Sequence, residues 1–532
     1  DAAVRYRHAD AQRAVVFTLR KMAGGGIYDQ IGGGFHRYST DPYWLVPHFE
    51  KMLYNQANLS RLYTRAYQYT GDITFARVAR QTLDYVLREM TAPAGGFYSA
   101  TDADSEGEEG KYFIWTIDQV RAILGADTDF AVDVFGLTQE GNFEGRNILH
   151  LPVPLDEYAG NAGLPVPVVL DRLDGVRSRL LQVRGERVPP LRDDKIVTAW
   201  NGMMITALAE AGTVFDEPRY RDAAARAAGF LWAENRNPDN TLWRANLDGR
   251  ASVPASQEDY AWYAEALVAL YDATGEHEWL DRAESITGQM LARFWDAEQN
   301  GFYMNSGVDD KTPLMARPRE TYDGATPAGN SVALRVLAQL AKRVADYQYE
   351  NYATKTLAAF SAAIAQQPAA VPYLILAASE HLYGEQGPQQ YAARGHVAAR
   401  ASLSGPENGQ LELAIQVAIQ PGWHINADRT LDPELAPTRV TVGNPAPGWG
   451  LASIDYPAAV IKTLGFSNSR LALFEGTVQL KADLRKQGEP CGDGIMTIPV
   501  QLRLQACNDQ TCLAPEKITL NIPIPSHHPE IQ

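Results

Sequence analysis

Apolar residues recur every three or four positions from about residue 9 to residue 384 and every second position from about residue 396 onward, so one part of the chain is helical and the other is sheet. In FEKMLYNQANLSRLYTRAY the stripe is Phe49, Met52, Leu53, Leu59, Leu62, Tyr63 and Ala66; in the next segment it is Phe75, Val78, Ala79, Leu83, Val86 and Leu87. The same period predicts helices near 9–23, 117–135 with a break, 165–183, 197–214, 218–235, 257–274, 276–295, 328–346, 350–366 and 369–383. Short polar turns such as Thr70 to Asp72 and Phe215 to Pro218 join some neighbours, which makes sequential helices antiparallel.

The other connections are long and share a syntax: Gly-(Gly or Phe)-(Phe or Tyr), then a polar or acidic run, then the next helix. Examples start at Gly24, Gly95, Thr241 and Gly301, and a loop from Arg184 is similar in length and charge. The most heavily loaded is GGGIYDQIGGGFHRYSTDPYWLVPHFEKMLYNQAN, Gly24 to Asn58, whose aromatics argue against disorder and whose glycines suit tight turns. An even number of helices separates each long loop from the next, so all five are expected at one end, with the short turns at the other. A repeat of roughly 55 to 65 residues recurring about six times is what a closed ring of helical hairpins produces. The expected fold for residues 1–384 is therefore an all-α (α/α)6 toroid.

Beyond it, Leu411, Leu413, Ile415, Val417 and Ile419 alternate with polar or small residues, as do Ile498, Val500, Leu502 and Leu504. Further strands are expected at 397–404, 438–443, 451–456, 471–485 and 517–523, giving an all-β, immunoglobulin-like sandwich over 396–532. Residues 385–395, rich in Gly and Gln, read as a linker.

Composition narrows the partners. The 48 basic and 64 acidic residues leave a net charge of -16, which repels a nucleic-acid backbone. No apolar run approaches the ~20 residues of a membrane-spanning helix. The glycine triplets are followed by no Lys-Ser/Thr and preceded by no strand, so they form no phosphate loop, and no cofactor or metal is expected.

The long loops bring carboxylates, histidines and aromatics to one rim, a combination that suits a sugar: aromatic faces cover a pyranose while polar groups take its hydroxyls. Glycoside hydrolysis needs two carboxyls in different protonation states, and epimerisation needs two proton-transfer groups. The catalytic candidates are His36, His48, Asp102, Asp104, Asp194, Asp259 and Asp323. The substrate-binding candidates are Tyr38, Trp44, Glu50, Lys51, Trp115, Lys195, Asn201, Tyr322 and Asn330. Each also has an ordinary use: Asp102 and Asp104 as a solvated acidic loop or an oxygen cluster without the full EF-hand pattern, Asp194 as a helix cap, Asp259 as a first-turn dipole residue and His48 as a core histidine.

In the sandwich, Cys507 and Cys512 are spaced so that a hairpin tip could join them. A structural disulfide and an exposed redox pair fit that spacing equally, and the polar tip Asn508 to Thr511 favours redox. Cys491 reads as a spare thiol.

The segments GGGIYDQIGGGFHRYSTDPYWLVPHFEKMLYNQANL, FYSATDADSEGEEGKYFIWT, GNFEGRNIL, DDKIVTAWNGMMI and YDGATPAGNS resemble the family of thioredoxin-domain proteins related to spermatogenesis-associated protein 20, over residues 9 to 384. That family's second half is similar to six-hairpin glycosidases and N-acylglucosamine 2-epimerases, which implies the toroid and a sugar-type cleft. Its members carry a thioredoxin-like domain and a Gly-Gly-Phe-Gly-Ala-Pro-Lys-Phe type segment ahead of the barrel; neither is present here, which implies that the first segment is missing. PGWHINAD at Pro421 and LQACNDQTCLAPE at Leu504 resemble the N-terminal domain of the thiol:disulfide interchange protein DsbD. That resemblance implies that Cys507 and Cys512 form a redox-active disulfide, that a thioredoxin-like domain or DsbD-type protein is the partner, and that the location is periplasmic or otherwise extracytoplasmic.

The expected function is thus a sugar-binding, carbohydrate-active toroid coupled to a thiol–disulfide module. The alternative is a thiol–disulfide exchange protein whose barrel is a non-catalytic scaffold. A third is a cytoplasmic sugar isomerase with a structural sandwich.

Overall fold

The structure, a computed structural model, describes residues 2–6, 8–307, 316–407, 409–443, 448–467, 469–488 and 497–524. Cys491 lies outside the described residues. The helices in chain order are α1 (Ala2–Arg5), α2 (Ala9–Gly24), α3 (Leu53–Thr70), α4 (Ile73–Glu89), α5 (Ile117–Leu124), α6 (Thr128–Phe135), α7 (Leu155–Ala162), α8 (Val166–Arg184), α9 (Thr198–Val214), α10 (Pro218–Glu234), α11 (Gln257–Thr274), α12 (His277–Phe294), α13 (Gly329–Arg343), α14 (Tyr347–Gln366) and α15 (Pro372–Tyr383).

Helices α3, α9, α11, α13 and α15 pack side by side in that order, while α4, α10, α12 and α14 back the first four from outside. The division follows from the side chains. α11 is buried at nearly every position from Gln257 to Tyr271, whereas α4 buries only the stripe Phe75, Val78, Ala79, Thr82, Leu83, Tyr85 and Val86. Each inner helix runs from the long-loop end to the short-turn end; Gly71, at φ 67°, ends α3 in the left-handed conformation and allows the tight reversal into α4. Arg61 of α3 closes the circle by reaching Tyr373 Oη of α15 at 3.3 Å. The helical region is an α/α toroid.

One expectation is revised. α5 to α8 do not form a ring hairpin; they build a lobe with its own core of Val120, Phe130, Val134, Leu173, Val176 and Leu180, tied to α4 by Arg77–Asp174 at 2.8 Å. Five of the described helices therefore line the axis.

The repeated Gly-Phe syntax has a physical cause. At the start of three inner helices a side-chain amide bonds both backbone groups of the loop aromatic. Gln56 accepts from Phe35 N and donates to Phe35 O, both at 2.7 Å. Asn201 does the same for Phe97 at 2.7 and 2.9 Å, and Asn330 for Phe302 at 2.8 and 2.9 Å. In the fourth crossover Tyr260 Oη accepts from Leu242 N at 2.8 Å. Isolated bridges Tyr28↔Phe35, Thr91↔Phe97, Arg236↔Leu242 and Trp295↔Phe302 complete the same device each time. The preceding glycine leaves room: a Cβ on Gly34, at φ 81°, would sit 2.8 Å from the Tyr85 ring.

The C-terminal part is β-rich. One antiparallel sheet contains, in order, Gln389–Ala392, Val397–Glu407, Gln410–Ile419, Thr477–Lys486 and Trp449–Asp455. A second contains Val460–Lys462, Leu471–Phe474, His424–Asn426 and Ala506–Cys507, and a third Arg439–Val442, Thr497–Leu504 and Glu516–Pro523. Leu411, Leu413, Ile415 and Val417 meet Ile498, Val500, Leu502 and Leu504 in one core. The expected strand 471–485 breaks at Glu475 and Gly476, its halves joining different sheets.

Residues 385–395 are not a free linker. They carry the first sheet strand, Gln389–Ala392, and lock the β-rich part to the short-turn end of the toroid. Arg343 of α13, almost wholly buried, pairs with Glu385 and with Asp272 of α11, each at 2.7 Å, while Tyr391 Oη donates to Asp272 at 2.6 Å.

Candidate functional site

All five long loops lie at the N-terminal end of the inner helices. The segments Lys51–Met52, Ala100–Thr101 and Arg192–Asp193 form one small sheet there, and Ile196–Val197 pairs with Trp243–Leu247, which pairs with Arg250–Pro254. Gln257 N donates to Met304 O at 3.0 Å, and Asp323 O atoms accept from Ala328 N at 2.9 Å and Tyr373 N at 2.8 Å. His36, Asp102, Asp194, Asp259 and Asp323 therefore share one end, but they do not converge on one point.

Several candidates are committed to the fold. His36 is sealed, its Nδ1 bonded to Phe49 O at 2.9 Å and its ring edge-on to Phe49 and Phe113; burial, with the Lys51 charge beside it, pushes its pKa down to about 3. It is neutral and unreachable, so it cannot trade protons with a ligand. Lys51, expected to touch substrate, is 0% exposed and holds Asp29 at 2.8 Å and Gly33 O at 2.9 Å. Burial alone would raise the Asp29 pKa, but Arg184 and Lys51 hold it well below the ordinary value. Trp115 is buried beneath the Arg187 guanidinium. Asn201 and Asn330 are the amide clamps described above. Asp259, 0% exposed, caps α11 through Ser256 and accepts from Ala199 N at 3.1 Å. Asp323 caps α15.

Others are on the surface in separate groups. His48 lies between Glu109 at 2.7 Å and Glu50 at 3.2 Å and stacks on Tyr38; Glu50 in turn holds Arg37 at 2.8 Å. Trp44 is half-buried against the α2 core. Asp102 is exposed and accepts from Ala103 N at 2.7 Å, and exposed Asp104 begins a two-residue hairpin strand whose other member, Ser105, is buried. Asp194 pairs with Arg192 at 2.6 Å and Lys195 with Asp193 at 3.0 Å. Tyr322 is exposed with no ring partner among the described residues.

The convergent polar groups lie deeper, on the inner helices themselves. Glu265 of α11 accepts from Arg61 at 3.0 Å and from Tyr373 Oη at 2.9 Å, and it also pairs with Arg335 of α13. Arg335 continues to Glu380 of α15 at 2.7 Å, and Arg61 to Glu210 of α9 at 2.7 Å. Burial and the Glu265 carboxylate push Tyr373 up to about 12. This network links α3, α9, α11, α13 and α15 across the ring, and Glu210, Glu265 and Arg335 also line the groove at the short-turn end. Above it stand Trp262 against Tyr373 and Trp200 edge-on to Tyr54, with ring centroids 5.7 and 5.0 Å apart. Nearer the rim, Glu258 faces Arg244 at 3.6 Å; burial and the neighbouring Asp259 carboxylate raise its pKa. A carboxyl biased toward its protonated form beside a guanidinium can donate a proton or a hydrogen bond to a hydroxyl.

Glu258, Arg61, Glu265, Arg335 and Tyr373 were not among the catalytic or binding candidates read from the loops. A signal was present: Glu265 in AWYAEALVAL and Arg335 in SVALRVLAQL are single charges in otherwise apolar helical runs.

At the opposite end, an open groove of about 930 Å³ lies between toroid and sandwich, lined among others by Arg65, Glu210, Gln339, Arg400 and Gln416. Its charges are largely paired with one another, as in Arg65–Glu210 at 3.2 Å. Among the described residues no group of three or more His, Cys, Asp or Glu is placed to hold a metal ion, and no helix is long and apolar enough to cross a membrane.

In the sandwich, Cys507 and Cys512 form a disulfide with Cα atoms 4.0 Å apart. Cys507 is fully buried among Leu464, Leu471 and Leu473, and Cys512 is half-buried at the edge of that cluster.

Residues 193–320 match the family described as N-acylglucosamine 2-epimerase, and residues 394–523 match the thiol:disulfide interchange protein DsbD, N-terminal. Spermatogenesis-associated protein 20 of Homo sapiens is 35% identical over 404 residues, covering 69% of this chain and 51% of that protein; the Rattus norvegicus protein is 33% identical over the same shares. The chain thus spans about half the length of the curated relatives it matches. Among solved structures, a sugar epimerase from a ruminal bacterium aligns at 12% identity and TM-score 0.42 over 65% of this chain and 68% of that one. The N-terminal periplasmic domain of ScsB from Proteus mirabilis aligns at 14% identity and TM-score 0.20 over 25% and 49%.

Proposed function

Because its helical region belongs with the spermatogenesis-associated protein 20 family, we propose that this chain joins a saccharide-binding toroid to a thiol–disulfide exchange module. The observation that carries the reading is the Cys507–Cys512 disulfide, with Cys507 fully buried and Cys512 half-buried, inside a segment that matches the DsbD N-terminal domain. A partner thiolate has one approachable target, Cys512, and a sheltered leaving group, Cys507. The partner is a thioredoxin-like domain or a DsbD-type protein, and the setting is extracytoplasmic, where disulfide traffic is sustained. We also take the ring as the six-hairpin type, on the strength of the repeated Gly-Phe crossovers although five of the described helices line the axis, and the β-rich part as an immunoglobulin-like sandwich, which the alternation of its strands supports.

In the toroid, half-buried Trp200 supplies a ring face, and the partly exposed Glu258 and Arg244 supply hydroxyl partners, a combination that suits a sugar. Glu258 is the candidate acid. The test has two arms on the full chain: reduction of the disulfide by thioredoxin, followed by thiol titration, and a saccharide panel followed by NMR. A pair that thioredoxin cannot reduce ends the redox part; a panel without a bound or converted sugar ends the saccharide part.

The second reading, a barrel that serves only as a scaffold, is favoured by one observation. His36 and Asp259, two of the expected proton-transfer groups, are sealed into the fold. Under that reading Cys507→Ser and Cys512→Ser abolish all activity and Glu258→Gln changes nothing.

A further inference from the structure

The sheet that carries the disulfide aligns three side chains across neighbouring strands. Ile425 pairs with Phe474 and His424 with Cys507, so Glu475, His424 and Cys507 stand in one transverse row on one face. His424 is 9% exposed. Its Nε2 lies 3.2 Å from the Glu475 carboxylate, which is also held by Lys462 from the edge strand. Its Nδ1 is buried and has no hydrogen-bond partner among the described residues. A buried ring nitrogen with no partner is unfavourable unless another state of the protein supplies one. Here the cross-strand neighbour is a sulfur that is locked in a disulfide in this state and becomes a thiol when the disulfide opens.

We propose that His424 is the proton donor to Cys507 Sγ when the Cys507–Cys512 disulfide is reduced, and the acceptor when it reforms, with Glu475 holding the imidazole. This deepens the redox part of the proposed function and rests on it. An incoming thiolate from a partner dithiol attacks Cys512 Sγ, on the less buried of the two cysteines. A new bond joins the partner sulfur to Cys512 Sγ, the Cys507–Cys512 bond breaks, and its electron pair leaves on Cys507 Sγ, which takes the proton from the His424 imidazolium. The partner's second thiolate then attacks the partner sulfur of the mixed disulfide and releases Cys512 as a thiolate that is protonated from solvent. The partner ends as a disulfide; Cys507 and Cys512 hold the two electrons. The charged or titratable groups that face His424 are Glu475 and Lys462 on one side and the cysteine pair on the other.

The test measures reduction of the full chain by thioredoxin from about pH 5 to 9, spanning the imidazole range, for wild type and His424→Gln. The ratio of the two rates cancels the reductant's own titration. Expected is a ratio of about ten or more at the acid end, in keeping with general acid catalysis, falling to about one once the imidazole is neutral. Glu475→Gln should shift the midpoint of that fall to lower pH. A ratio that does not change with pH overturns the proposal, as a purely packing role for His424 would give that result. A second measurement needs no variant: the His424 ring signals are titrated by NMR in oxidised and reduced wild type. Different midpoints support the proton-transfer role, and identical midpoints overturn it. A wild type that thioredoxin fails to reduce overturns this proposal and the redox reading together, whereas a reducible wild type with a flat ratio overturns only this one.

Discussion

Asn330 holds Phe302 by both of its backbone groups, at 2.8 and 2.9 Å, and so replaces the strand partner that a lone residue at a loop apex would otherwise lack. Asn330→Ala removes a donor and an acceptor from two buried backbone groups at once. Each unsatisfied group costs about 1–3 kcal/mol, so the variant should lose about 2–5 kcal/mol in denaturant unfolding. Asn201→Ala, which frees Phe97, should behave alike. A loss under about 1 kcal/mol in both would show that the clamp is incidental.

Asp29 sits between two cations, Lys51 and Arg184, each 2.8 Å away and all three nearly inaccessible. Asp29→Asn leaves two buried positive charges without a counter-charge and should destabilise the chain by about 3–5 kcal/mol. Lys51→Met, which removes one charge and keeps an apolar stem beneath Tyr85 and Phe113, should cost less than Asp29→Asn. Thermal and urea unfolding of the two variants gives the order directly.

His36 makes a pH-dependent contribution. Its folded pKa, about 3, lies below the ordinary 6.5, so the unfolded chain binds a proton that the folded chain refuses. Stability from this group is therefore full above the ordinary value and declines as pH falls toward about 3, by up to about 1.4 kcal/mol per pH unit. His36→Gln should unfold more readily at neutral pH yet show a shallower acid slope. Unfolding free energies collected through that window check the sign, and equal slopes would refute it.

For the toroid mouth, Glu258→Gln removes the raised carboxyl while keeping its shape and its place beside Arg244. If a saccharide is processed there, turnover should fall at least about a hundredfold with little change in unfolding free energy. Binding followed by NMR and turnover followed by product analysis separate the acid role from simple contact.

For the cysteine pair, Cys512→Ser should abolish exchange outright, because it removes the sulfur open to attack. Cys507→Ser, with Cys512 first loaded as a mixed disulfide with a small aromatic thiol, should trap a thioredoxin whose second cysteine is replaced by serine: the partner thiolate attacks Cys512, the small thiol leaves, and no cysteine remains to resolve the new bond. Capture of the partner by Cys507→Ser and not by Cys512→Ser, seen on a non-reducing gel, establishes the order of attack.

The helical period and the long-loop syntax made the ring legible: predicted helices such as 197–214 and 257–274 match α9 and α11 almost residue for residue. What the period could not reveal was which hairpins belong to the ring, because amphipathic α8 in the outer lobe carries the same pattern as a ring helix; only contact with α5 and α7 assigns it elsewhere. Among site residues, the loops drew attention through their density of charge, yet Lys51, Asn201 and Asp259 are charged or polar because the crossovers need internal partners. The convergent groups were Arg61, on the polar helix α3, and Glu265 and Arg335, single charges in apolar runs, where sequence alone cannot tell a buried ion pair from an exposed one. Cys507 and Cys512 were legible by spacing; the alignment of Glu475 and His424 beside them depends on strand order, which no local pattern encodes.

Because Arg343, Asp272, Glu385 and Tyr391 fasten the sandwich across the tight reversals of the ring, those reversals cannot lengthen without prising two hydrophobic cores apart. Among the described residues, none of the strands beyond residue 388 packs on the far rim. Variation among related chains should therefore accumulate as insertions and altered side chains on the unencumbered rim, so that specificity diversifies at one pole of the molecule while the attachment of its cysteine-bearing partner stays fixed at the other.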